Sequence, residues 1–579
     1  MSLRPLVLLT PSQAAAVELP RRVASTGRAI AGVYAMKPLT LARVLAEPVL
    51  LGRGLAHWTP GHDALVAARL LAENDDAGLR FPEGTPRAPV AAALARTLAA
   101  LRRAGIPQPR LSALASAEGK SADDALRLVG LARLYAGYCE LLEGRTADPV
   151  TVLAAAREGL AHARWLEGAT VLIADDLELE PDEIELVAAL AARFPVSVLR
   201  RALPASLRPS SFRARLAALG VREVGWAETA FAATAPSEPP PAPLARLREA
   251  LFEPPGGEPL PPADGTHGAV ELVTAPGEAA EVRAIVRRLL REAARGVPFE
   301  EMGVVLPRPQ SYAPLFTDLL ERLAVPHRLH PSLPLRFGRA ARSLLLLFRC
   351  RGLERPAVME FLTFAPVPFE AMLGAEASAH PARWDQLSRE AGIVSGYSRW
   401  LVGLRAWAEA EREAAVAERD EDRRARRLRN GADADALLRT VEILNATLDS
   451  LAGDAPWAEW VARLQIVADQ WIGPERDRER VLEVIADLGG LGSVATRAPW
   501  SEVEQVLEAR FEWERLPLEP LDGGGIHVGA LDAMAGLPFR VLAIPGLAEG
   551  GYPGVFRPDP FLLDSERLAL RAFGGEGLG

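Results

Sequence analysis

Ala169-Thr-Val-Leu-Ile-Ala-Asp-Asp176 is an apolar run that ends on two carboxylates, and Pro181–Phe194 follows it with Asp182 and Glu183 near its start. The first stretch reads as a buried strand. The second reads as a helix, with proline in its first turn and acids where the helix dipole favours negative charge. Val196–Leu199 is the next apolar run and the next buried strand. A strand, a helix and a strand in succession build a parallel sheet, because parallel neighbours need a crossover between them. Moving outward, Val7-Leu8-Leu9-Thr10-Pro11-Ser12 is a strand running into a turn, and Gln13–Leu19 has helical spacing that is expected to stop before Pro20. A long helical region covers about 89–165, including Ala125–Leu142.

The alternation resumes near residue 268. Val270–Thr274 is an expected strand, Glu278–Ala294 an amphipathic helix, Met302–Leu306 a strand, Tyr312–Leu323 a helix, and Arg328-Leu329 part of a short strand. From about 340 to 515 the pattern is almost entirely helical, and strands return at Ile526–Gly529 and Arg540–Ile544. Each flank is too short to form a core alone, so the helical stretch is read as an insertion into one sheet domain. Ten prolines fall among the 27 residues from Pro236 to Pro262, a density that neither a long helix nor a central strand tolerates. The expected fold is therefore α/β, with two parallel-sheet domains, each carrying a mainly helical insertion. The first spans 1–230 with its insertion at about 60–165. A proline-rich linker spans 231–267, and the second domain combines 268–340 with 516–579 around the insertion 341–515.

At 579 residues the chain exceeds one domain of ~150 residues several times over. Its hydrophobic content of 49% is that of a globular protein. Apolar runs such as Leu186–Ala192 fall short of the ~18 residues a membrane span needs, and Pro5–Thr10 is too short for a secretory signal. Two cysteines, Cys139 and Cys350, cannot form a disulfide framework or a four-thiolate metal site. A soluble, cytoplasmic protein without a membrane partner is expected. The net charge of −9 gives no global field for nucleic acid, though a local basic channel can sit inside an acidic whole.

Only two lysines, Lys37 and Lys120, stand among 66 basic residues. Gly119-Lys120-Ser121 lacks the upstream glycine of a phosphate loop, since Leu114 stands there, and the preceding segment is helical. Lys37 has no glycine cradle, so neither lysine is placed to grip a nucleotide phosphate. Glu118-Gly119-Lys120 imitates half of a metal-dependent nuclease site, but no aspartate lies between Gly78 and Ala117 to complete it. Asp175-Asp176 stands where a nucleotide-hydrolysing sheet places its magnesium carboxylate. His327 and His330 are read as loop or surface residues rather than zinc ligands, and no Gly-x-Ser-x-Gly elbow is present. No catalytic residue and no metal ligand is assigned. Eight of the eleven tryptophans lie between Trp384 and Trp513, near Arg419, Arg423, Arg424, Arg426, Arg427 and Arg429. Aromatics with arginines can bind single strands. Here Trp457 and Trp460 have core spacing, and the arginines alternate with Glu418, Asp420, Glu421 and Asp422 as in a solvated helix with i,i+4 pairs.

Two further stretches carry a resemblance. Pro298–Tyr312, continuing through Leu320–Pro326, resembles the fourth helicase motif of UvrD-like superfamily 1 proteins, with Arg308 at the family's arginine position and Val325-Pro326-His327 at its "IPY" site. Val528–Pro553 is similar to the fifth motif, and Asp559–Arg567 looks like its continuation in the AddB, RexB and RecC-like branch. Leu9-Thr-Pro-Ser12 sits where this branch has a strand and "PS" after a lost or altered phosphate loop. Leu126–Leu142 with Asp148, and Asp175-Asp176 with Pro181, resemble its second subdomain and second motif. The fifth motif departs from that of active helicases: Ala530, Asp532, Ala535, Gly536, Leu537, Pro538 and Phe539 replace "T.H..KGLEF", without its histidine, lysine and glutamate.

The resemblance implies two RecA-like domains in a catalytically inert, AddB-like subunit of a bacterial helicase–nuclease that processes double-strand breaks for recombinational repair. It implies DNA ends and an AddA-like subunit as partners, ATP and magnesium in that partner, and none in this chain. A nuclease metal and an iron–sulfur cluster would belong to a C-terminal domain expected beyond Gly579, making this a partial chain. Candidate DNA contacts are Arg308, Ser12, Asp532 and Gly536, with Asp175 and Asp176 as a degenerate nucleotide site. Phe539 is expected to pack the motif's core. The alternatives are an active UvrD-like ATP-dependent helicase and an interaction scaffold without DNA affinity.

Overall fold

The computed structural model describes residues 4–27, 31–58, 62–74, 79, 87–116, 121–174, 177, 179–200, 215–229, 231, 244–245, 247, 269–330, 333–374, 379–493, 495–516, 524–552, 554 and 558–571. Asp175, Asp176, Gly119, Lys120 and most of the proline-rich segment lie outside the described residues.

The first sheet has five parallel strands: β1 (Leu6–Leu9), β2 (Val33–Met36), β3 (Thr170–Ala174), β4 (Val196–Arg200) and β5 (Arg222–Gly225), in the order β2-β1-β3-β4-β5. Leu6 pairs with Val33 on one side and Thr170 on the other. Both faces are covered, which is why the strands are continuously apolar. Val7, Leu9, Val171, Ile173 and Val198 bury one face against α2 (Pro38–Arg53), α7 (Pro149–Gly159) and α8 (Pro181–Ala191). Leu8, Leu172 and Leu199 alternate to the other face, beneath α1 (Gln13–Ser25). This helix passes through Pro20 rather than stopping before it. Leu19 and Val23, one turn apart, are both buried, and their packing offsets the hydrogen bond that proline removes.

A helical bundle follows: α3 (His62–Glu73), α4 (Arg87–Arg103), α5 (Gln108–Ala115) and α6 (Ala122–Leu142), around Leu94, Leu98, Leu111, Leu131 and Tyr138. It gives way at Thr146 to the sheet layer, because α7 packs along α2 and shares its core.

The second sheet is also parallel. Its strands β6 (Met302–Leu306), β7 (His327–His330), β8 (Ile526–Ala530) and β9 (Val541–Ala543) run in the order β9-β6-β8-β7. Met302, Val304, Ile526 and Val528 pack on α9 (Glu278–Ala294) and α10 (Pro309–Arg322). The expected strand Val270–Thr274 is not formed. Leu272 is 92% exposed, and the segment is tied instead to α9 by Glu271 and Arg288 at 2.6 Å.

Between β7 and β8 lie α11 (Arg339–Phe348), α12 (Arg355–Phe364), α13 (Phe369–Leu373), α14 (Pro381–Glu390), α15 (Tyr397–Ala417), α16 (Glu421–Ser450), α17 (Trp457–Trp471), α18 (Arg478–Asp487) and α19 (Trp500–Trp513). Trp384, Trp400, Trp457, Trp460, Trp471 and Trp500 all enter this region's core, as their spacing suggested for Trp457 and Trp460. Arg423, Arg424, Arg426, Arg427 and Arg429 lie on the solvated start of α16, as their pattern suggested, with Arg424 near Glu421 at 4.0 Å, while Arg419 stands before that helix. The chain turns at Glu418–Asp420, where Asp420 accepts from the Arg423 backbone N–H at 3.0 Å, and Arg427 pairs back across the resulting hairpin with Glu411 at 3.3 Å. The last helix, α20 (Asp564–Arg571), returns to the first bundle, where Arg127 pairs with the buried Glu566 at 2.8 Å and Phe561, Leu562 and Leu570 join the bundle core. No helix among the described residues is long and apolar enough to cross a membrane.

Asp477 shows how remote residues hold the helical region. Its buried carboxylate accepts from the backbone N–H groups of Ala340, at 3.1 and 3.0 Å, and Ala341, at 3.1 Å, capping α11 from 136–137 residues away. Asp477→Ala strands those donors and is expected to destabilise the helical region by roughly 1–3 kcal/mol. Denaturant unfolding followed by tryptophan fluorescence checks this; an unchanged midpoint contradicts it.

Candidate functional site

The two sheets meet through α1. One side of this helix places Ala14, Ala15, Leu19 and Val23 against Leu8, Leu172 and Leu199 of the first sheet, and the same core includes Val305 of β6 and Met534 and Leu537 beyond β8. The period of two along parallel strands explains the second sheet's two characters. Val304, Leu329 and Val528 point to the apolar core with α9 and α10, while Val305, Arg328, His330 and His527 alternate toward α1. Glu18, 1% exposed, receives Arg328 at 2.9 Å and Arg21 at 3.3 Å. Arg22 donates to the carbonyl oxygens of Pro538, at 2.6 Å, and Glu300.

The other end of α1 lies at the carboxyl ends of β1 and β3. In a sheet of order β2-β1-β3 the winding reverses between these strands, and an α/β protein opens its ligand crevice there. On the β1 side of that crevice the protein's own chain packs in. Ser12 caps α1, accepting from the Ala15 N–H at 3.1 Å, and donates its hydroxyl to the Ala535 carbonyl at 2.6 Å. Gly536 has φ +85°, and a Cβ there would stand 3.0 Å from both Ala15 Cβ and Pro11 Cγ. Only glycine meets both the left-handed backbone and the close approach. Ser12 is 2% exposed and fully engaged, so it stands in the joint rather than on an open surface.

Phe539 packs its ring on β6 at Gly303, where a Cβ would meet it at 2.9 Å, and lies 5.7 Å from the His527 ring, as expected of a core residue. Asp532 is exposed at the start of a 3-10 turn, Asp532–Met534, that ends on the buried Met534. Arg308 stands at the end of β6 as the first residue before α10. Its guanidinium lies 5.8 Å from the Tyr312 ring centre and touches the loop at Gly551, and its buried Nε has no hydrogen-bond partner among the described residues. Tyr312 donates to Glu281 at 2.6 Å, and Glu281 also accepts from the Gly546 N–H at 2.9 Å, fixing the loop over Arg308. The joint thus gathers Ser12 and Gly536; Arg308 and Asp532 emerge from strand ends of the second sheet, and Asp175 and Asp176 fall outside the described residues.

Sequence reasoning missed the histidines. His330 is a buried strand residue, not a loop or surface one, and its Nε2 bonds His527 Nδ1 at 2.8 Å with the rings stacked at 16°. The partner lies 197 positions away, so spacing within one segment could not find it. Burial, and then Arg328, pushes His330 down to about 4; burial, and then His330, pushes His527 down as well. Among the described residues no group of three or more histidine, cysteine or acidic side chains could hold a metal ion. No protein-family model matches the chain, and no curated protein matches it.

Because the folded state holds these imidazoles neutral, the unfolded chain binds more protons between pH 6.5 and about 4, and stability is lost as pH falls through that window. The melting temperature is expected to drop between pH 7 and pH 5 more steeply than in a His330→Phe/His527→Phe variant. Parallel pH profiles contradict this assignment.

Proposed function

We propose that this protein is a helicase-like scaffold: two RecA-like domains of superfamily 1 architecture in a non-motor, AddB-like subunit that binds and guides single-stranded DNA. Its partner would be an AddA-like motor in a helicase–nuclease that processes double-strand breaks. The observation that carries this reading is the chain at Ala535-Gly536 packed against the carboxyl end of β1 and the start of α1. A nucleotide there needs backbone amides and a lysine around its phosphates and room for them. The residues present do not fit that need: the Ser12 hydroxyl is bonded to Ala535, and Gly536 packs on Pro11 and Ala15.

The DNA part of the reading is supported by Arg308, a cation at the carboxyl edge of a parallel sheet, with an unpartnered buried Nε and without an ion-pair partner among the described residues. Guanidinium groups at such positions meet phosphate oxygens and fix a strand's register without reading its sequence.

Filter binding of single-stranded DNA across a salt series tests this reading. Affinity is expected to fall with salt, with a slope of roughly −0.7 for each phosphate contacted. Arg308→Ala should weaken binding about tenfold without lowering the melting temperature. No binding at low salt would favour an interaction scaffold, and equal affinity in the variant would remove Arg308 from the contact set.

A further inference from the structure

Where the helical region leaves and rejoins the second sheet, two backbone segments run antiparallel. Leu335 N–H donates to the Glu514 carbonyl at 2.7 Å, Leu516 N–H donates to Leu333 at 2.9 Å, and Pro334 bridges Arg515 between them. This neck sets the turn Leu335–Phe337 against the end of α19. Arg336 pairs there with Glu512 at 2.6 Å, and its guanidinium lies over the Phe337 ring, 5.3 Å from the centre.

Two large aromatic side chains are left in water on this neck. Phe337 is 53% exposed and Trp513 is 65% exposed. Of the seven other tryptophans in the region, six are buried in its core and Trp407 packs against it, so the packing that explains them does not explain Trp513. Hydration of two half-open rings is unfavourable, and their stems are already fixed by the neck's backbone bonds. Arg515, exposed between them and the sheet, has no ion-pair partner among the described residues. Glu512 is taken by Arg336, and the Glu514 carboxylate by Arg480 and Arg510, which leaves Arg515 as the neck's cation without a carboxylate of its own among the described residues.

We propose that the neck is a base-stacking platform for single-stranded nucleic acid. Trp513 and Phe337 take the faces of unpaired bases, and Arg336 and Arg515 meet the phosphates beside them. Flat rings next to guanidinium groups suit this partner because every base offers a π-face and every link a negative charge. The assignment rests on the DNA-binding reading above and adds where the strand crosses the protein. Duplex DNA does not satisfy the platform, since its base faces are already stacked on one another.

Fluorescence anisotropy of labelled oligo(dT) with the full chain tests it. Trp513→Ala should weaken oligo(dT) binding about tenfold, Phe337→Ala less, and Trp513→Phe should restore most of the loss. Both positions are exposed, so the variants are expected to melt with the unaltered protein. Affinity for a duplex of equal length should not change. Equal oligo(dT) affinity in Trp513→Ala, with the unaltered protein binding normally, overturns the platform and leaves the DNA reading standing. Failure of the unaltered protein to bind oligo(dT) overturns both. A variant that keeps its DNA affinity but loses a co-purifying subunit assigns the neck to a protein contact and overturns the proposal.

Discussion

Glu18 has almost no surface left for water, and a carboxylate in that position must find its compensation inside the protein. It finds part of it on its own helix, in Arg21, and the rest on the second sheet, in Arg328. Removing Arg328 would leave Glu18 only the more exposed Arg21, and removing both would leave an unbalanced buried charge, for which losses of about 3–5 kcal/mol are usual. The pair therefore fixes how the sheets stand to each other. Once α1 is held at Glu18 and Arg22, its other end brings Ser12 against Ala535 and Gly536, and the apolar residues between close into one core.

A motor built from two such sheets needs a cleft that opens and closes around its fuel. This joint is organised for the opposite behaviour. It combines a buried ion pair, carbonyl contacts from a guanidinium, a capped helix whose capping hydroxyl is shared with the other side, and a glycine packed against proline. Breaking the Glu18–Arg328 pair or the Arg22–Pro538 bond to open the joint would leave buried or half-buried polar groups without their partners. What remains available is the carboxyl end of the second sheet, where Arg308 follows the interior strand β6, and the neck with its exposed rings. On the proposed reading, a scaffold that holds a strand while a partner moves it would need rigidity at the joint and contacts on the surface, and these are the residues that would serve it.

Much of the fold was legible because it is written locally. Continuous apolar runs such as Thr170–Ala174 and Met302–Leu306 gave the strands of both parallel sheets, and Pro181 with its acids gave α8 its start. Local rules failed where distant residues decided the outcome. Pro20 marked an end for α1 that the burial of Val23 overrode. Val270–Thr274 has strand composition but found no neighbour to pair with. Among the arginines after Glu418, Arg424 keeps a partner one turn away in Glu421, but Arg427 pairs across a hairpin with Glu411. The site was less legible still. Ser12, Ala535 and Gly536 are separated by more than 500 positions, and the His330–His527 bond by 197, so neither could be read from spacing. Of the residues that depart from the fifth-motif pattern, Ala535 lies against Ser12, Pro538 meets Arg22 at the other end of α1 and Asp532 is exposed, while Gly536 keeps the pattern's glycine.

The most direct measurement of this account is titration of the full chain with ATP and magnesium, followed calorimetrically and for phosphate release. A crevice closed by the protein's own residues predicts no saturable heat and no turnover. Saturable binding with hydrolysis, lost in Asp176→Asn, would contradict it.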